Sequence, residues 1–414
     1  MKKQISNWLN RIIEIFRALG PGFIIASVVL GPGSITVSSR IGSEYGYAFL
    51  WVIILAAISM FIYTSMGARF GVSNNDSILS SIAQNYGRWF SVIIGISAFL
   101  AASSFQFGNN LGVGIAMQGI TGIDERVWPL IFTPLAIVLL FWAKNLYKLL
   151  EKLMMILVMI MILAFFFNLL LTKPDIGEVA GGFVPRSFSF ESLDIIAALV
   201  GTTFVLHVAL YQSYLAQNKG WKVSDMKKGL RDSYNGIFML ALISILIIVT
   251  SATALHPAGI TVNSAADMAL QLESLFGSYA KIIFSIGLCA AAFSSLMVNA
   301  VVGGGLLADG LGMGRSMNER MPKVFTTIAL LLGMFIAVFF RGNAIYSLIL
   351  AQASSIFAVP LIALGMFLIL NNKKVMGKMK NNLWQNILAV FGFVLISLMV
   401  YFMYSKVLTY LQSL

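Results

Sequence analysis

Residues 31–34 of this 414-residue chain read Gly-Pro-Gly-Ser and interrupt an otherwise apolar stretch. A second apolar stretch, GTTFVLHVALYQS at 201–213, holds a glycine, a threonine pair and a histidine. Where a helix is interrupted, the half-helix that follows presents backbone N–H groups and the positive end of its dipole. The two stretches are therefore candidates for an ion site built from backbone groups, a serine and a histidine.

The composition indicates an integral membrane protein. Hydrophobic residues make up 59% of the chain and charged residues 11%, which leaves too little polar surface to cover a soluble globule. Apolar stretches of roughly 20 residues recur, as expected for spanning helices rather than for a β-barrel. The predicted fold is all-α with 11 transmembrane spans, at 18–41, 47–68, 89–119, 127–144, 149–171, 190–216, 234–254, 269–300, 323–341, 345–371 and 383–409.

The positions of Lys and Arg predict the orientation in the membrane. Most of the 28 basic residues lie before the first span and in alternate loops after it. The positive-inside rule then places the N-terminus in the cytoplasm and, after an odd number of spans, the C-terminus outside the cell. Residues 1–17 are predicted to form an interfacial helix, because basic residues flank an apolar face and no uninterrupted apolar core precedes a cleavage site. Residues 18–414 are predicted to form one transporter domain in the cell (plasma) membrane.

The two interrupted stretches occupy matching positions in the chain. The first and sixth spans each open a five-span half, at about 18–171 and about 190–371, and the span at about 383–409 is additional. Interrupted helices at matched positions are typical of secondary transporters with inverted repeats and a binding site near the bilayer midplane. Non-helical backbone is tolerated in a bilayer only where protein or a cavity surrounds it. The alternative for residues 31–34 is a kink made for helix packing.

The polar side chains near the interruptions also have structural interpretations. Arg40 either attracts negative solutes, extends to the membrane surface or pairs with Glu44. His207 either handles substrate or protons, or is satisfied by neighbouring backbone. Amides in membranes commonly join helices through hydrogen bonds. Four amides of this chain could join helices in this way, namely Gln106, Asn109, Gln212 and Gln352.

Four stretches carry a similarity to a known family. They are GPGFIIASVVLGPGSITVSSRIGSEYGYAFLWVII around the first span, ARFGVSNND after the second, NNLGVGIAMQGITGI in the third and ILAQASSIFAVPLIALGMF in the tenth. In these stretches the chain resembles the NRAMP family of proton-coupled divalent metal transporters, and the resemblance covers nearly its whole length. It implies the LeuT-like five-plus-five inverted-repeat fold with broken helices 1 and 6. It also implies that spans one, two, six and seven move against spans three, four, eight and nine.

The positions that bind metal in that family carry other residues here. In the first span, Gly31 and Ser34 replace the acid and the amide of the family's Asp-Pro-Gly-Asn. In the sixth span, the family's Met-Pro-His-Asn corresponds to Val205, Leu206, His207 and Val208. The third-span acids and the second sixth-span histidine of the family correspond to Gln106, Asn109 and Gln212. The resemblance therefore implies that the scaffold is kept, with His207 and Gln352, while the metal ligands are changed.

The altered site favours an anion on electrostatic grounds. The acids nearest to span centres lie near span ends, at Glu44, Glu151, Asp194 and Glu273. Desolvating a dication without a carboxylate is costly, whereas helix N-termini favour negative charge. The predicted function is secondary transport of a small anion, bicarbonate or a small carboxylate, by alternating access. The alternative is proton-coupled transport of a divalent metal cation such as Mn²⁺ or Mg²⁺.

Ten residues are predicted to bind the transported ion, and four more are predicted to support them. The first set is Gly31, Pro32, Gly33, Ser34, Val205, Leu206, His207, Val208, Ala209 and Gln352. The backbone N–H groups that face the ion are predicted to be those of Gly33, Ser34, Ile35, Val208, Ala209 and Leu210. The supporting set is Gln106, Asn109, Gln212 and Arg40.

Other functions lack the residues that they need. The sequence has no phosphate-binding glycine loop with Lys-Ser/Thr, no zinc-type spacing and no nucleophile–base–acid set, so neither an enzyme nor a cofactor or bound metal is predicted. The basic residues lie in membrane-flanking loops, so nucleic acid is not a predicted partner. The predicted partners are a small inorganic or organic ion and the lipid bilayer, without an obligatory protein partner.

Overall fold

The computed structural model describes residues 31–142, 144–185, 189–316 and 318–412. The predicted interfacial helix at 1–17 and the first half of the first span lie outside these residues. The helices of the first half are α1 (Pro32–Tyr45), α2 (Leu50–Ser73), α3 (Ile78–Tyr86), α4 (Arg88–Thr121), α5 (Pro129–Phe141), α6 (Lys144–Thr172) and α7 (Ile176–Gly181).

The second half repeats this pattern of long helices joined by short ones. Its helices are α8 (Leu193–Thr203), α9 (Leu206–Asn218), α10 (Met226–Ala254), α11 (Ala265–Leu270), α12 (Glu273–Phe276), α13 (Ala280–Gly310), α14 (Arg320–Phe339), α15 (Ala344–Ser354) and α16 (Val359–Asn371). The chain continues through α17 (Lys373–Met376) and α18 (Leu383–Gln412). Within the described residues, 8 helices are long and apolar enough to cross a membrane, and the apolar helices Pro129–Phe141 and Ile156–Thr172 are shorter. The total of eleven spans remains a prediction.

Most predicted span boundaries lie within a few residues of the helix ends. The seventh span was predicted to begin at 234, whereas α10 begins at Met226, and the eighth span differs at both ends. It was placed at 269–300, whereas α13 runs from Ala280 to Gly310. The glycine run at 303–305 stays helical because its small residues permit close contact with other helices. A Cβ added at Gly303 would lie 2.5 Å from the Cβ of Ala102 in α4. Gly303 and Gly304 thus permit close helix contacts in the interior of α13, to Ala102 and Thr326.

The long helices pack into two groups. The first group contains α1, α2, α9 and α10, in which α1 and α2 both pack against α10, and α2 packs against α9. The second group contains α4, α5, α13 and α14, in which α4 packs against both α13 and α14. These groups correspond to spans one, two, six and seven and to spans three, four, eight and nine. The grouping agrees with the predicted five-plus-five architecture.

Helices α2 and α9 approach each other at backbone distance. A Cβ added at Gly71 of α2 would lie 2.8 Å from the Cβ of Ala216, and one added at Gly67 would overlap the carbonyl oxygen of Ala209. Both glycines are therefore required by the close contact. Near the same end of α2, Arg69 is 5% exposed and donates to the carbonyl oxygen of Met379 at 3.0 Å and to Asn381 Oδ1 at 2.7 Å. This arginine joins α2 to the linker before α18.

Candidate functional site

The sixth span is broken at Phe204 and Val205. Their φ/ψ angles are −99°/70° and −91°/83°, outside the helical region, and they separate α8 from α9. Thr202 precedes the break and donates its hydroxyl to the carbonyl oxygen of Leu199 at 3.0 Å, a side-chain bond that competes with the helix. Threonines are also poor helix formers, because branching at Cβ restricts χ1. The break is therefore encoded without proline, at the place predicted.

The backbone donors of this break differ from those predicted. The N–H groups of Val208 and Ala209 both donate to the carbonyl oxygen of Val205, at 3.1 and 3.2 Å. They are engaged within α9 because the helix begins at Leu206, two residues earlier than the prediction assumed. The N–H groups that lack an intrahelical acceptor are those of the first helical positions, Leu206 and His207. The prediction that Val208 and Ala209 present free donors is wrong.

Helix α1 begins at Pro32, directly after Gly31. Gly31 is the N-cap residue, with an extended backbone at φ −86° and ψ 178°. Proline suits the first helical position because it has no N–H group to leave unsatisfied. The N–H of Ile35 donates to the carbonyl oxygen of Gly31 at 3.4 Å, so this predicted donor is also engaged. Ser34 is buried in this first turn.

Gly31 lies against polar residues of two helices of the second group. A Cβ added at Gly31 would lie 2.8 Å from Ser295 Oγ of α13 and 3.3 Å from Asn109 Oδ1 of α4. The space where an aspartate side chain would start is thus bordered by a hydroxyl and an amide. Ser295 was not among the predicted site residues.

Gln352 of α15 lies against two glycines of other helices. A Cβ added at Gly33 of α1 would lie 2.6 Å from Gln352 Nε2, and one added at Gly108 of α4 would lie 2.5 Å from the same atom. Neither glycine could carry a side chain without displacing this amide. The structure therefore brings Gln352 to the first turn of α1, as predicted.

Three amides of α4 and α15 hold buried polar atoms without a hydrogen-bond partner among the described residues. Both polar atoms of the Asn109 and Gln352 side chains are in this state, together with Gln106 Oε1. Gln106 uses its Nε2 to reach the carbonyl oxygen of Leu296 at 2.8 Å. A buried polar atom without a partner costs free energy, and such atoms in a folded protein point to a ligand or water. We call Gln106, Asn109 and Gln352 the amide cluster.

His207 is held by a chain of side-chain hydrogen bonds. Its Nε2 lies 3.0 Å from Asn299 Oδ1 of α13. Asn299 donates its Nδ2 to the carbonyl oxygen and the Oγ of Ser295, at 3.1 and 3.0 Å. Because Asn299 uses its amide nitrogen for these bonds, its Oδ1 faces the imidazole of His207. The Nε2 of His207 therefore carries the hydrogen and donates it to Asn299 Oδ1. His207 is thus connected through Asn299 to Ser295, which borders Gly31.

Two predicted supporting residues make their contacts away from the amide cluster. Arg40 pairs with Glu44 through an Nε–Oε1 distance of 2.7 Å, with both side chains 20% exposed. Gln212 of α9 donates its Nε2 to Ser233 Oγ of α10 at 2.8 Å. Arg40 therefore follows one of its structural interpretations, and Gln212 joins two helices of the first group.

Two cavities lie at opposite ends of helix α10. The inner vestibule, beside the start of α10, has a volume of about 470 Å³ and is bordered by Asn75, Tyr214, Gln217, Lys222 and Arg315, among others. The outer vestibule, beside the end of α10, has a volume of about 490 Å³ and is bordered by Tyr45, Tyr47, Asp175, Glu178 and His256, among others. The names inner and outer follow the predicted orientation.

A span broken at Phe204 and Val205, and a helix that begins directly after Gly31, are features of the LeuT-like class of secondary transporters when they occur in a helical membrane protein with two groups of helices. The chain belongs to the family described as Natural resistance-associated macrophage protein-like (Nramp), whose model matches residues 22–405.

Relatives and solved structures agree with this assignment. The divalent metal cation transporter MntH of Deinococcus radiodurans is 26% identical over 377 residues, covering 88% of this chain and 84% of the relative. MntH of Nostoc sp. is 25% identical over 383 residues, covering 89% and 86%. A crystal structure of the Eremococcus coleocola manganese transporter has a TM-score of 0.75 at 17% identity, covering 92% of this chain and 85% of that one. MHP1, a nucleobase-cation-symport-1 family transporter, has a TM-score of 0.55 at 15% identity, covering 94% and 93%.

These comparisons overturn the predicted anion substrate. The relatives are named for divalent metal cations and the solved neighbour for manganese. The anion prediction rested on the missing carboxylate and the helix dipoles, and it gave no weight to the amide oxygens as ligands for a cation. Three of the predicted N–H donors, those of Ile35, Val208 and Ala209, prove to be engaged, whereas the amide oxygens of Gln106, Asn109 and Gln352 lack partners.

Proposed function

We propose that this protein transports a divalent metal cation by alternating access and binds it at the amide cluster, between the start of α1 and the break in the sixth span. The observation that carries this proposal is the set of buried amide oxygens without a partner, on Gln106, Asn109 and Gln352. Amide and hydroxyl oxygens are suitable ligands for hard dications. The names of the relatives support a metal cation as the substrate.

The charge of the ligands determines how the ion is held. Within the described residues, no group of three or more His, Cys, Asp or Glu side chains is placed to hold a metal. Neutral oxygens compensate poorly for the lost hydration of a dication, so the ion keeps part of its water shell. The site also holds Val205 at the break in place of the family's thioether. Oxygen ligands favour Mn²⁺ and Mg²⁺ over softer ions such as Cd²⁺.

The two groups of helices supply the moving parts. In this proposal the group containing α1 and α9 rocks against the group containing α4 and α13, so that the site faces the outer and inner vestibules in turn. The distribution of Lys and Arg supports a cytoplasmic N-terminus, and we propose the cell membrane as the location.

Purified protein in liposomes should import Mn²⁺ with saturation. Excess Mg²⁺ should inhibit this influx more strongly than the same concentration of Cd²⁺, because the oxygen ligands favour hard ions. Influx is measured with a Mn²⁺-quenched dye inside the liposomes, and protein-free liposomes serve as the control. Absence of both Mn²⁺ and Mg²⁺ influx would rule out the proposed function. Stronger inhibition by Cd²⁺ would contradict the oxygen-ligand site.

His207→Ala should lower the rate of Mn²⁺ influx by about tenfold, the effect expected from leaving the buried oxygen of Asn299 without its donor. His207→Gln should keep much of the rate, because its amide nitrogen can donate to the same oxygen. Both variants should elute as monodisperse protein in size-exclusion chromatography. Equal loss of influx in the two variants would show that the imidazole has a role beyond this hydrogen bond.

A further inference from the structure

Asp309 is a buried carboxylate outside the predicted set of site residues. It lies in the last turn of α13 and is 4% exposed, and it is the one buried carboxylate among the side chains whose burial the structure describes. Its partner Tyr214 borders the inner vestibule. The carboxylate is therefore placed at the inner end of the helix that carries Ser295 and Asn299.

Hydroxyl groups alone contact the carboxylate oxygens of Asp309 among the described residues. Ser80 of α3 donates to Oδ1 at 3.2 Å, and Tyr214 of α9 donates to Oδ2. Arg88 reaches main-chain oxygens instead, that of Asp309 at 3.5 Å and that of Gly310 at 3.4 Å. A buried carboxylate that lacks a paired cation creates a negative potential that attracts one.

The same two helices, α9 and α13, are joined at two levels. His207 and Asn299 meet beside the site, and Tyr214 and Asp309 meet beside the inner vestibule. Tyr214 follows His207 by about two helical turns, and Asp309 follows Asn299 by about three. Because α9 and α13 belong to different groups of helices, rocking that opens the inner side must separate Tyr214 from Asp309.

We infer that the Tyr214–Asp309 hydrogen bond closes the inner end of the path, and that Asp309 binds the divalent cation once this bond opens. The inference rests on the proposed function. In the closed state the tyrosine hydroxyl occupies one carboxylate oxygen. In the open state that oxygen becomes a ligand for the departing ion, with Ser80 Oγ as a neutral neighbour. The cation thus passes from neutral amides to a charged carboxylate before it enters the inner vestibule.

A thiol at position 306 reports whether this end is open. Leu306 is 0% exposed and lies one turn before Asp309 on the face of α13 that also carries Asn299. Leu306→Cys is made in a Cys289→Ser background, because Cys289 is the one native cysteine. A charged methanethiosulfonate reagent is then added to the medium around inside-out vesicles, where it reaches the cytoplasmic face of the protein. Asn75→Cys, at a residue that borders the inner vestibule, is the positive control for labelling.

Tyr214→Phe should speed modification of the thiol at position 306 by about tenfold, as expected when a hydrogen bond to a charged group is lost from the closed state only. Tyr211→Phe is the matched control. Its ring stacks on that of Tyr214 with centroids 5.5 Å apart, and the described residues show no hydrogen bond from its hydroxyl. Equal modification rates in the two variants would overturn the inference.

Addition of Mn²⁺ tests the role of the carboxylate. In the Tyr214→Phe variant, Mn²⁺ should slow modification at position 306, and adding Asp309→Asn should remove that protection. Protection that persists with Asp309→Asn, or that is absent with Asp309 intact, would overturn the inference. The rates without Mn²⁺ require no transport, so the gate result stands even if the proposed function fails. If Mn²⁺ influx is normal but the modification rate at position 306 is the same in Tyr214→Phe and Tyr211→Phe, the gate inference is rejected while the proposed function stands.

Discussion

Gly31→Asp, combined with Ser295→Ala, should strengthen Mn²⁺ binding by about tenfold to a hundredfold, the effect of a carboxylate beside a dication in a partly desolvated site. The added Cβ of Gly31→Asp would lie 2.8 Å from Ser295 Oγ, so the serine must be shortened to admit it. Asn299 keeps the carbonyl oxygen of Ser295 as an acceptor. Isothermal titration of the purified protein with Mn²⁺ measures the change.

Two control variants separate charge from shape. Gly31→Asn with Ser295→Ala has nearly the same volume without the charge, and its Mn²⁺ affinity should stay within about threefold of the original, since only neutral oxygen is added. Gly31→Asp alone should show a smaller gain and a lower thermal midpoint, because its Cβ crowds Ser295. If the Asn and Asp variants bind Mn²⁺ equally well, a cation site at Gly31 is wrong.

Gln352→Leu should reduce Mn²⁺ influx by at least about tenfold while leaving the protein as stable as before or more stable. Both polar atoms of this side chain are buried without a partner, and replacing such a group by an apolar one of similar size removes a desolvation cost. The influx falls because an oxygen ligand is lost. Liposome influx and the thermal midpoint in detergent are measured on the same preparation.

Asn110→Leu is the matched amide substitution. Asn110 is equally buried, but its Nδ2 donates to the carbonyl oxygen of Gln106 at 2.9 Å and its Oδ1 accepts from Thr133 at 2.7 Å. Its replacement removes both hydrogen bonds and leaves the Thr133 hydroxyl without its acceptor, so the thermal midpoint should fall. A Gln352→Leu variant that loses stability as Asn110→Leu does, and keeps normal influx, would contradict a ligand role for Gln352.

The break in the sixth span and the start of α1 were predictable because their causes are local. Proline and two glycines mark the start of α1, and glycine and threonines mark the end of α8. The first residue of α9 was misplaced by two positions, since no proline indicates where the helix resumes. The placement of Gln352 beside α1 agrees with the predicted set, which rested on the family resemblance.

The residues that the sequence did not predict owe their role in the site to contacts between segments that are distant in the chain. Ser295 and Asn299 lie in an apolar span, and their importance follows from meeting Gly31 and His207 across helices, which periodicity alone does not indicate. Asp309 was missed because the eighth span was predicted to end at residue 300, nine residues before it. The substrate was misjudged because the charges of the site were considered without asking which amide atoms would lack a partner.

The close contact between α2 and α9 has a mechanical consequence for the C-terminal helix. Since Gly67 and Gly71 leave no gap between the two backbones, α9 cannot swing away from α13 without pulling α2 along. Arg69 on α2 is anchored to Met379 and Asn381, so that pull is transmitted to the segment that leads into α18. A reporter fluorophore on this segment would register each turnover from outside the permeation path.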